Sequence, residues 1–209
     1  MYTLGKQSAM RVVVTGGAGF IGSHFIDKLI DKDCTVLVVD NLITGKKENI
    51  KEYIESGKVT FIEQDVQDYI DIEGEVEVVV HLASIASPKA YSEHPVNTLK
   101  SGSLGTINSL GLAKAKGAKY LLASTSEIYG NPLISPQIES YWGNVNPVGP
   151  RSMYDESKRF AEASAYTYMN EFGLDVKIAR IFNTYGTRMQ INDGRVVTNF
   201  VFQALTEKD

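Results

Sequence analysis

The sequence predicts an α/β protein built on a doubly wound parallel sheet. Short runs of β-branched and aliphatic residues recur along the chain, and amphipathic helical patterns separate them. The apolar residues in these runs are nearly continuous rather than alternating, which is typical of strands covered on both faces in a parallel sheet. The alternation of strands and helices favours βαβ units, whose ligands bind at the carboxyl ends of the strands.

Six strands and three long helices follow one another along the chain. The predicted strands are residues 11–15, 35–40, 59–65, 76–83, 120–124 and 175–180. The predicted helices are residues 20–32, 95–117 and 154–173. Several glycines make the second helix slightly irregular, and Gly173 is a typical residue to end the third. Residues 131–153 contain four prolines and little periodicity, which indicates a long loop; Tyr141 and Trp142 predict that it is packed.

The composition argues against several classes of function. The chain has 209 residues, 43% of them hydrophobic, and a formal net charge of −4, which gives no electrostatic basis for binding nucleic acid or an anionic membrane. Cys34 is the single cysteine and the three histidines are far apart in sequence, so we expect neither a disulfide nor a metal site. No apolar run is long enough to span a bilayer. We therefore expect a cytoplasmic protein with small-molecule ligands.

A glycine-rich turn follows the first strand and precedes the first helix. The spacing of Gly16, Gly19 and Gly22 allows a pyrophosphate to approach the backbone N–H groups at the helix N-terminus. The second strand ends in Asp40, 18 residues after Gly22. A carboxylate at this position accepts hydrogen bonds from the adenosine ribose and repels a 2′-phosphate. The motif therefore predicts a dinucleotide site that prefers NAD to NADP.

Residues after the next strands extend this predicted cofactor site. Four residues continue the loop after the second strand: Asn41, Thr44, Gly45 and Lys46. For Lys46 the alternative is an ordinary solvated cation. Asp65, after the third strand, is a candidate for contact with the adenine amine, and its alternative is an N-cap. The small residues of "HLAS", 81–84, would let a cofactor lie against the chain, whereas His81 itself is expected to be a core histidine.

Tyr154 and Lys158 lie four residues apart in the third helix, so both side chains occupy one helix face. A phenol with a pKa near 10 is a poor base at neutral pH, but a neighbouring ammonium and a positive nicotinamide ring both favour the phenolate. The phenolate can accept a proton from a sugar hydroxyl while hydride leaves for the nicotinamide. The segment "STSE", 124–127, adds three hydroxyls and a carboxylate at the carboxyl end of the fifth strand.

These motifs together resemble a known family. "GGAGFIG", Asp40, the hydroxyl cluster and the tyrosine–lysine pair are similar to the Rossmann-type extended short-chain dehydrogenase/reductases that act on nucleotide sugars. Longer blocks resemble the UDP-glucuronate decarboxylases, also called UDP-xylose synthases: "HLASIASP", "GLAKAKGAKYLLASTSEIYG", "YWGNVNPVGPRSMYDESKRFAE" and "ARIFNTYGTRMQINDGRVVTNF". The resemblance runs from Met10 to about Leu205.

The resemblance implies NAD-dependent decarboxylation of UDP-glucuronate to UDP-xylose. In that family C4 of the sugar is oxidised, the C5 carboxylate leaves as CO2, and the bound NADH then reduces the 4-keto-pentose. By similarity, Tyr154 is the acid/base at C4, Lys158 lowers its pKa and holds the nicotinamide ribose, and Thr125 binds the C4 oxygen. Ser126 and Glu127 are expected near the carboxylate and C5.

Other contacts are implied by the resemblance alone. The further cofactor contacts are Phe20, Ile21, Val66, Leu82, Ala83, Ser84, Ser101, Thr184 and Arg195. The substrate contacts are Lys100, Asn108, Gly111, Lys114, Tyr168 and Asn183. Exposed helix surface is the alternative for the two lysines, and a core position is the alternative for Tyr168. By analogy with the family, we also expect a homodimer formed through helices 95–117 and 154–173.

Two positions distinguish this chain from the decarboxylases it resembles, and a third distinguishes it from the dehydratases of the superfamily. Gly102 stands where relatives have an asparagine, and we expect it to loosen the helix or to cost a buried hydrogen bond. Ala115 stands where relatives often carry an arginine, which would weaken contact with an anionic substrate. Ser126 stands where the 4,6-dehydratases of the superfamily carry an aspartic acid that expels a hydroxyl as water. A serine has too high a pKa for that role, so dehydration is disfavoured.

The sequence leaves alternative functions open. A nucleotide-sugar 4,6-dehydratase or 4-epimerase is the alternative within the superfamily, and an NAD-binding module without turnover is an alternative from another class. The predicted division is residues 1–9 as an extension or cloning remnant, 10–182 as the NAD-binding domain and 183–209 as the start of a substrate-binding region. Relatives extend further and supply a catalytic arginine there, so we expect that region to be largely absent and the chain to bind NAD better than it turns over.

Overall fold

Six parallel strands form one sheet in a computed structural model that describes residues 9–191 and 193–206. The strand order is β3-β2-β1-β4-β5-β6. The strands are β1 Arg11–Thr15, β2 Thr35–Asp40, β3 Val59–Glu63, β4 Val78–His81, β5 Lys119–Thr125 and β6 Val176–Ile181. The predicted α/β class and parallel sheet are confirmed, and every predicted strand agrees with the observed one to within two residues at each end.

Helices connect the strands and cover the sheet. They are α1 Phe20–Ile30, α2 Lys51–Glu55, α3 Pro88–Glu93, α4 Pro95–Lys100, α5 Thr106–Lys116, α6 Ser152–Phe172 and α7 Val196–Thr206, with 3-10 turns at Lys47–Ile50 and Ser126–Tyr129. The predicted helix 95–117 is α4 and α5, which a π turn at Ser101–Gly105 joins. The expected irregularity is therefore confined to the turn that contains Gly102. Helix α6 ends at Gly173 in the left-handed conformation, with φ of 67°, as predicted.

Alternate residues of the central strands enter two separate cores, which explains their nearly continuous apolar sequence. Val12 and Val14 of β1 pack in a core with Ile26 of α1. Val13 packs on the other face of the sheet, in a core with Leu110 of α5. All four of the buried side chains Val13, Val14, Ile26 and Leu110 are 0% exposed. Both faces of β1 are thus covered, as the doubly wound arrangement requires.

A buried polar chain ties the π turn to the carboxyl ends of β1 and β4. The hydroxyl of Thr15 lies 2.8 Å from Nδ1 of His81, and Nε2 of His81 lies 3.4 Å from the hydroxyl of Thr106. The Thr106 hydroxyl donates to the carbonyl of Gly102 at 2.7 Å. Burial lowers the pKa of His81 to about 3, and the Lys158 ammonium acts in the same direction. His81 is therefore a neutral core histidine at physiological pH.

The long loop at 131–150 is attached to the domain at a few points. Tyr141 stacks on Tyr129 with 6.0 Å between the ring centroids. Arg159 donates to the carbonyl of Trp142 at 2.8 Å, but the indole of Trp142 is 88% exposed. The prediction of a packed loop is thus confirmed for Tyr141 and wrong for the Trp142 side chain.

The predicted domain boundaries stay predictions. Strand β6 ends at Ile181, next to the proposed boundary at residue 182. Of the predicted extension 1–9, residues 1–8 lie outside the described part of the chain. Among the described residues, no helix combines the length and the apolar character needed to cross a membrane.

Candidate active site

Two adjoining cavities open at the carboxyl edge of the sheet. The first, here called the glycine cleft, has a volume of about 170 Å³ and is lined by the glycine-rich turn after β1 and by the end of β2. The second, the tyrosine pocket, has a volume of about 270 Å³ and is lined by the end of β5 and by Tyr154 and Lys158. Five residues border both cavities: Ile21, Leu82, Ser84, Ala86 and Arg195. A single extended ligand can therefore pass from one cavity into the other.

Most of the predicted cofactor contacts line the glycine cleft. They are Gly16, Gly19, Phe20, Ile21, Gly22, Asp40, Asn41, Thr44, Gly45, Lys46, Val66, Leu82, Ala83, Ser84, Ser101 and Arg195. Tyr154, Lys158 and Thr184 line the tyrosine pocket instead. Asp65 lines neither cavity, because its carboxylate accepts hydrogen bonds from the side chain of Asn41 and the backbone of Gln67, both at 2.9 Å. The bond from Gln67 closes a turn and caps no helix, so the N-cap alternative is not matched, and the adenine contact of Asp65 stays a prediction.

The glycines of the turn occupy positions that no side chain could share. A Cβ atom on Gly22 would lie 2.2 Å from the carbonyl oxygen of Gly16. Gly16 has φ of 72°, and a Cβ atom there would lie 2.6 Å from the backbone nitrogen of Ala83 at the end of β4. Helix α1 begins at Phe20, and no side chain caps its N-terminus. The cleft therefore offers an uncovered helix N-terminus, which suits a pyrophosphate.

Asp40 is held in place by the backbone of the same cleft. Its two carboxylate oxygens accept hydrogen bonds from the N–H groups of Ala18 and Leu42, both at 2.9 Å. Burial raises the pKa of Asp40, and these two hydrogen bonds act in the opposite direction. Each carboxylate oxygen has a further lone pair for a ribose hydroxyl. The bare glycine turn and the oriented carboxylate together fit NAD.

The segment that follows β6 borders the glycine cleft on its outer side. Arg188 forms an ion pair with Asp27 of α1 at 2.9 Å, and Gln190 donates to the carbonyl of Thr44 at 2.7 Å. Both Arg188 and Gln190 line the cleft. Sequence patterns did not indicate either contact, because each joins residues more than a hundred positions apart.

All five predicted catalytic residues meet in the tyrosine pocket: Thr125, Ser126, Glu127, Tyr154 and Lys158. Burial raises the pKa of Tyr154 to about 12, and a hydrogen bond with the Thr125 hydroxyl acts in the opposite direction. The Lys158 ammonium lies 6.0 Å from the centroid of the Tyr154 ring. Burial is thus the largest influence on the Tyr154 pKa here. The lowering of that pKa by Lys158 together with a nicotinamide ring stays a prediction.

The side chain of Lys158 is buried, and its ammonium is hydrogen-bonded. Its ammonium donates to the carbonyl of Ala123 at 2.7 Å. Burial lowers the pKa of Lys158 to about 8, and the Glu162 carboxylate one helical turn later acts in the opposite direction. Glu162 also accepts two hydrogen bonds from the guanidinium of Arg180, at 2.9 and 2.8 Å, and one from the hydroxyl of Ser124. Glu162 and Arg180 were not among the predicted site residues.

The predicted substrate contacts divide into two groups. Asn183 lines the tyrosine pocket. The other five line neither cavity: Lys100, Asn108, Gly111, Lys114 and Tyr168. Asn108 donates to three backbone carbonyls at 2.9 Å each, Lys114 lies 3.5 Å from the centroid of the Phe172 ring, and Tyr168 packs against the core. Lys100 is exposed, and the substrate contacts of these five residues stay predictions.

Two residues of the tyrosine pocket were missed from the sequence. Tyr91 of α3 stacks on Tyr154 with 5.2 Å between the ring centroids and 13° between the ring planes. Arg151 forms an ion pair with Glu127 at 2.6 Å. The signal for Arg151 was its position three residues before Tyr154, close to the same helix face. Among the described residues, no cluster of histidine, cysteine and carboxylate side chains is arranged to bind a metal ion.

We expect Glu162→Gln to lower the pKa of Lys158, because the substitution removes the negative charge that opposes the effect of burial. NMR titration of the Lys158 side chain measures this directly: the midpoint should lie near 8 in the wild type and below that in the variant. Glu156→Gln is the matched control, since Glu156 pairs with Arg159 on the exposed side of α6. An unchanged Lys158 midpoint in Glu162→Gln would contradict the assignment.

The chain is similar in sequence to proteins of known activity. UDP-glucuronic acid decarboxylase 1 from Danio rerio is 52% identical over 202 residues, which cover 97% of this chain and 48% of that protein. UDP-glucuronic acid decarboxylase 6 from Arabidopsis thaliana is 54% identical over 200 residues, which cover 95% of this chain and 58% of that protein. The chain therefore spans about half the length of the curated relatives it matches.

Solved structures with the same fold include nucleotide-sugar epimerases and dTDP-glucose 4,6-dehydratases. A UDP-N-acetylglucosamine 4-epimerase from Methanobrevibacter ruminantium, in complex with UDP-N-acetylmuramic acid, has a TM-score of 0.85 at 31% identity; the match covers 97% of this chain and 65% of that one. The UDP-glucose 4-epimerase of Thermus thermophilus in complex with NAD has a TM-score of 0.78 at 32% identity, covering 95% and 64%. The sequence profile of the "NAD dependent epimerase/dehydratase family" matches residues 12–209. This chain belongs to that family, and the cofactor that fits its glycine cleft is NAD.

Proposed function

We propose that the protein to which this chain belongs decarboxylates UDP-glucuronate to UDP-xylose. The observation that carries this proposal is the guanidinium of Arg151 in the tyrosine pocket, beside an acid/base tyrosine. Glu127 pairs with this cation, and the carboxylate of a glucuronate can take the place of Glu127, whereas a neutral hexose ring cannot. The similarity to UDP-glucuronic acid decarboxylases supports the same choice. Because the chain spans about half of those relatives, the proposal concerns the whole protein.

Oxidation and reduction at C4 of the sugar use the residues around Tyr154. NAD held by the glycine cleft and Asp40 would supply the hydride acceptor for oxidation at C4 and the hydride for the later reduction. Tyr154 takes the proton of the C4 hydroxyl as the hydride leaves and gives it back when C4 is reduced. Thr125, hydrogen-bonded to Tyr154, binds the C4 oxygen, and Lys158 stabilises the negative charge that develops on the phenol.

Loss of CO2 needs orientation more than acid catalysis. The ketone at C4 makes the C5 carboxylate part of a β-keto acid, so the C5–carboxyl bond breaks and its electron pair is delocalised onto the C4 oxygen. A proton then adds to C5, which gives the 4-keto-pentose. Ser126 is a poor general acid, which disfavours expulsion of a hydroxyl as water but does not hinder loss of CO2. Hydrogen bonds to the C4 oxygen from Thr125 and Tyr154 stabilise the enolate.

Arg151 and Glu127 are proposed to orient the substrate carboxylate. Their ion pair of 2.6 Å is partly exposed to the pocket, with side-chain exposures of 49% and 30%. A substrate carboxylate can replace Glu127 at the guanidinium, which leaves the Glu127 carboxylate free to face C5. This exchange would keep the substrate carboxylate bound until the ketone forms.

We expect the full-length protein, given NAD+ and UDP-glucuronate, to release CO2 and UDP-xylose without net consumption of NAD+. The sugar nucleotide and CO2 are analysed after each reaction. The variant Tyr154→Phe should lower turnover by about 100-fold or more, because the acid/base group is removed. Turnover of UDP-glucose or dTDP-glucose but not of UDP-glucuronate would favour the epimerase or dehydratase alternative. Binding of NAD+ without any turnover would favour the non-catalytic alternative.

We expect Arg151→Met to weaken binding of UDP-glucuronate by about tenfold to a hundredfold, because a charge-assisted hydrogen bond to the carboxylate is lost. The matched comparison is UDP-xylose, which lacks the carboxylate and should bind the variant and the wild type equally. Calorimetric titration with NAD+ present measures both affinities. Equal weakening for the two ligands would show that Arg151 only supports the shape of the pocket.

We also propose a homodimer formed through helices 95–117 and 154–173. Apolar side chains on these helices are well exposed in the single chain, including Leu99 at 45%, Leu104 at 48% and Phe160 at 45%. Faces of this kind are typical of helices that pack against a partner. A cytoplasmic location stays a prediction that rests on the single cysteine.

We expect Leu104→Glu and Phe160→Glu together to convert the dimer into a monomer, since each places a charge in the apolar face. Sedimentation equilibrium measures the molecular mass. Leu133→Glu is the control, because Leu133 is equally apolar and 78% exposed but lies in the long loop. A wild-type protein that sediments as a monomer at all concentrations would rule out the dimer.

A further inference from the structure

Gly102 marks the closest approach between the π turn and helix α6. A Cβ atom on Gly102 would lie 2.5 Å from Cβ and 2.6 Å from the hydroxyl oxygen of Ser157. Both residues are buried. Contacts shorter than about 3 Å are not tolerated between carbon atoms in a packed interior, so one partner would have to move. Position 102 therefore accepts no side chain while Ser157 is present.

Ser157 lies on α6 between the two residues that matter most for the chemistry. It follows Tyr154 by three positions and precedes Lys158 by one. Its hydroxyl donates to the carbonyl of Tyr154 at 2.8 Å, so the side chain is held against its own helix and directed at the π turn. The separation of α6 from the π turn at this point consequently sets the position of Tyr154 and Lys158 in the tyrosine pocket.

The π turn is fixed from its other side. The carbonyl of Gly102 accepts the hydroxyl of Thr106, which lies beside the buried His81. His81 is in turn paired with Thr15 at the end of β1. Gly105 of the same turn packs against Val66, where an added Cβ atom would lie 2.6 Å from a methyl carbon. Because these contacts hold the π turn on the side that faces the sheet, a side chain at position 102 would displace α6 rather than the π turn.

We propose that Gly102 and Ser157 are a matched pair of positioning residues that place Tyr154 and Lys158 at the nicotinamide end of bound NAD. The absent side chain on one helix makes room for the hydroxymethyl group on the other. The backbone carbonyl of Gly102 accepts the Thr106 hydroxyl, and the expected loss of a hydrogen bond made by an asparagine side chain stays a prediction. A relative with asparagine at this position requires a smaller residue, or a wider spacing, at the position of Ser157. The catalytic role of Tyr154 rests on the proposed function, whereas the binding of NAD does not.

The test compares the binding of ADP and NAD+, which share the adenosine diphosphate group. ADP would occupy the glycine cleft alone, whereas NAD+ would also extend into the tyrosine pocket, which Tyr154 and Lys158 line. Gly102→Ala should weaken NAD+ binding by about tenfold while changing ADP binding by less than about twofold, because overpacking displaces α6 but not the glycine turn. Calorimetric titration of the full chain gives both affinities. Equal changes for ADP and NAD+, or no change for either, would overturn the proposal.

Rescue separates positioning from general damage. Adding Ser157→Gly to Gly102→Ala removes the obstructing side chain, so the affinity for NAD+ should return to within about twofold of that of Ser157→Gly alone. The matched control adds Ser157→Gly to Gly105→Ala, whose obstruction is Val66, and no rescue is expected there. Equal rescue in both backgrounds, or none in the first, would overturn the pairing.

The rescue also decides the case in which Gly102→Ala alone does not fold. The double variant must then regain both folding and NAD+ affinity, and failure to do so overturns the pairing. None of these measurements uses a sugar nucleotide. A wrong substrate assignment would therefore leave their outcome unchanged and would be recognised separately.

Discussion

Lys158 brings an ammonium group into a buried position, and much of the site is arranged around that charge. A buried charge is costly unless it is paired and hydrogen-bonded. Here the carbonyl of Ala123 accepts from the ammonium, and Glu162 supplies the opposite charge from the next turn of α6. Arg180 of β6 then pairs with Glu162. The contacts of Lys158 with Ala123 and of Glu162 with Arg180 thus join α6 to the ends of β5 and β6. The same contacts position Tyr154, which lies one turn before Lys158.

The parts of the fold that depend on local sequence could be predicted, and those that depend on packing could not. Strand β1 and the glycine-rich turn could be predicted, because an apolar run and a glycine spacing each determine local structure within a few residues. The predicted contacts of Asn108 and Lys114 do not reach a cavity, because helical periodicity does not say which polar face a neighbour will cover. Tyr91 enters the tyrosine pocket only through tertiary packing, and the one signal for Arg151 along the chain was its position three residues before Tyr154.

The two cavities differ in what they determine. The glycine cleft determines cofactor binding, which the family shares, and the tyrosine pocket determines which reaction follows. The glycine cleft, with Asp40 and the bare helix N-terminus, suits the cofactor of any member of the family. The tyrosine pocket contains Tyr154, whose proposed acid/base role at C4 is the same whatever the later steps. Only a few side chains there, chiefly Ser126 and Arg151, favour one outcome over another. This agrees with the general observation that a fold is reused and that its sites decide the reaction.

The exposed indole of Trp142 has a spectroscopic consequence. It is the single tryptophan of the chain and it lies in the loop that Arg159 and Tyr141 attach beside the tyrosine pocket. An indole surrounded by water emits at longer wavelength than one in an apolar core, so the tryptophan emission of the folded chain arises from one solvated loop position. The wavelength of this emission does not depend on the packing of the two cores, but it shifts when a molecule covers the indole.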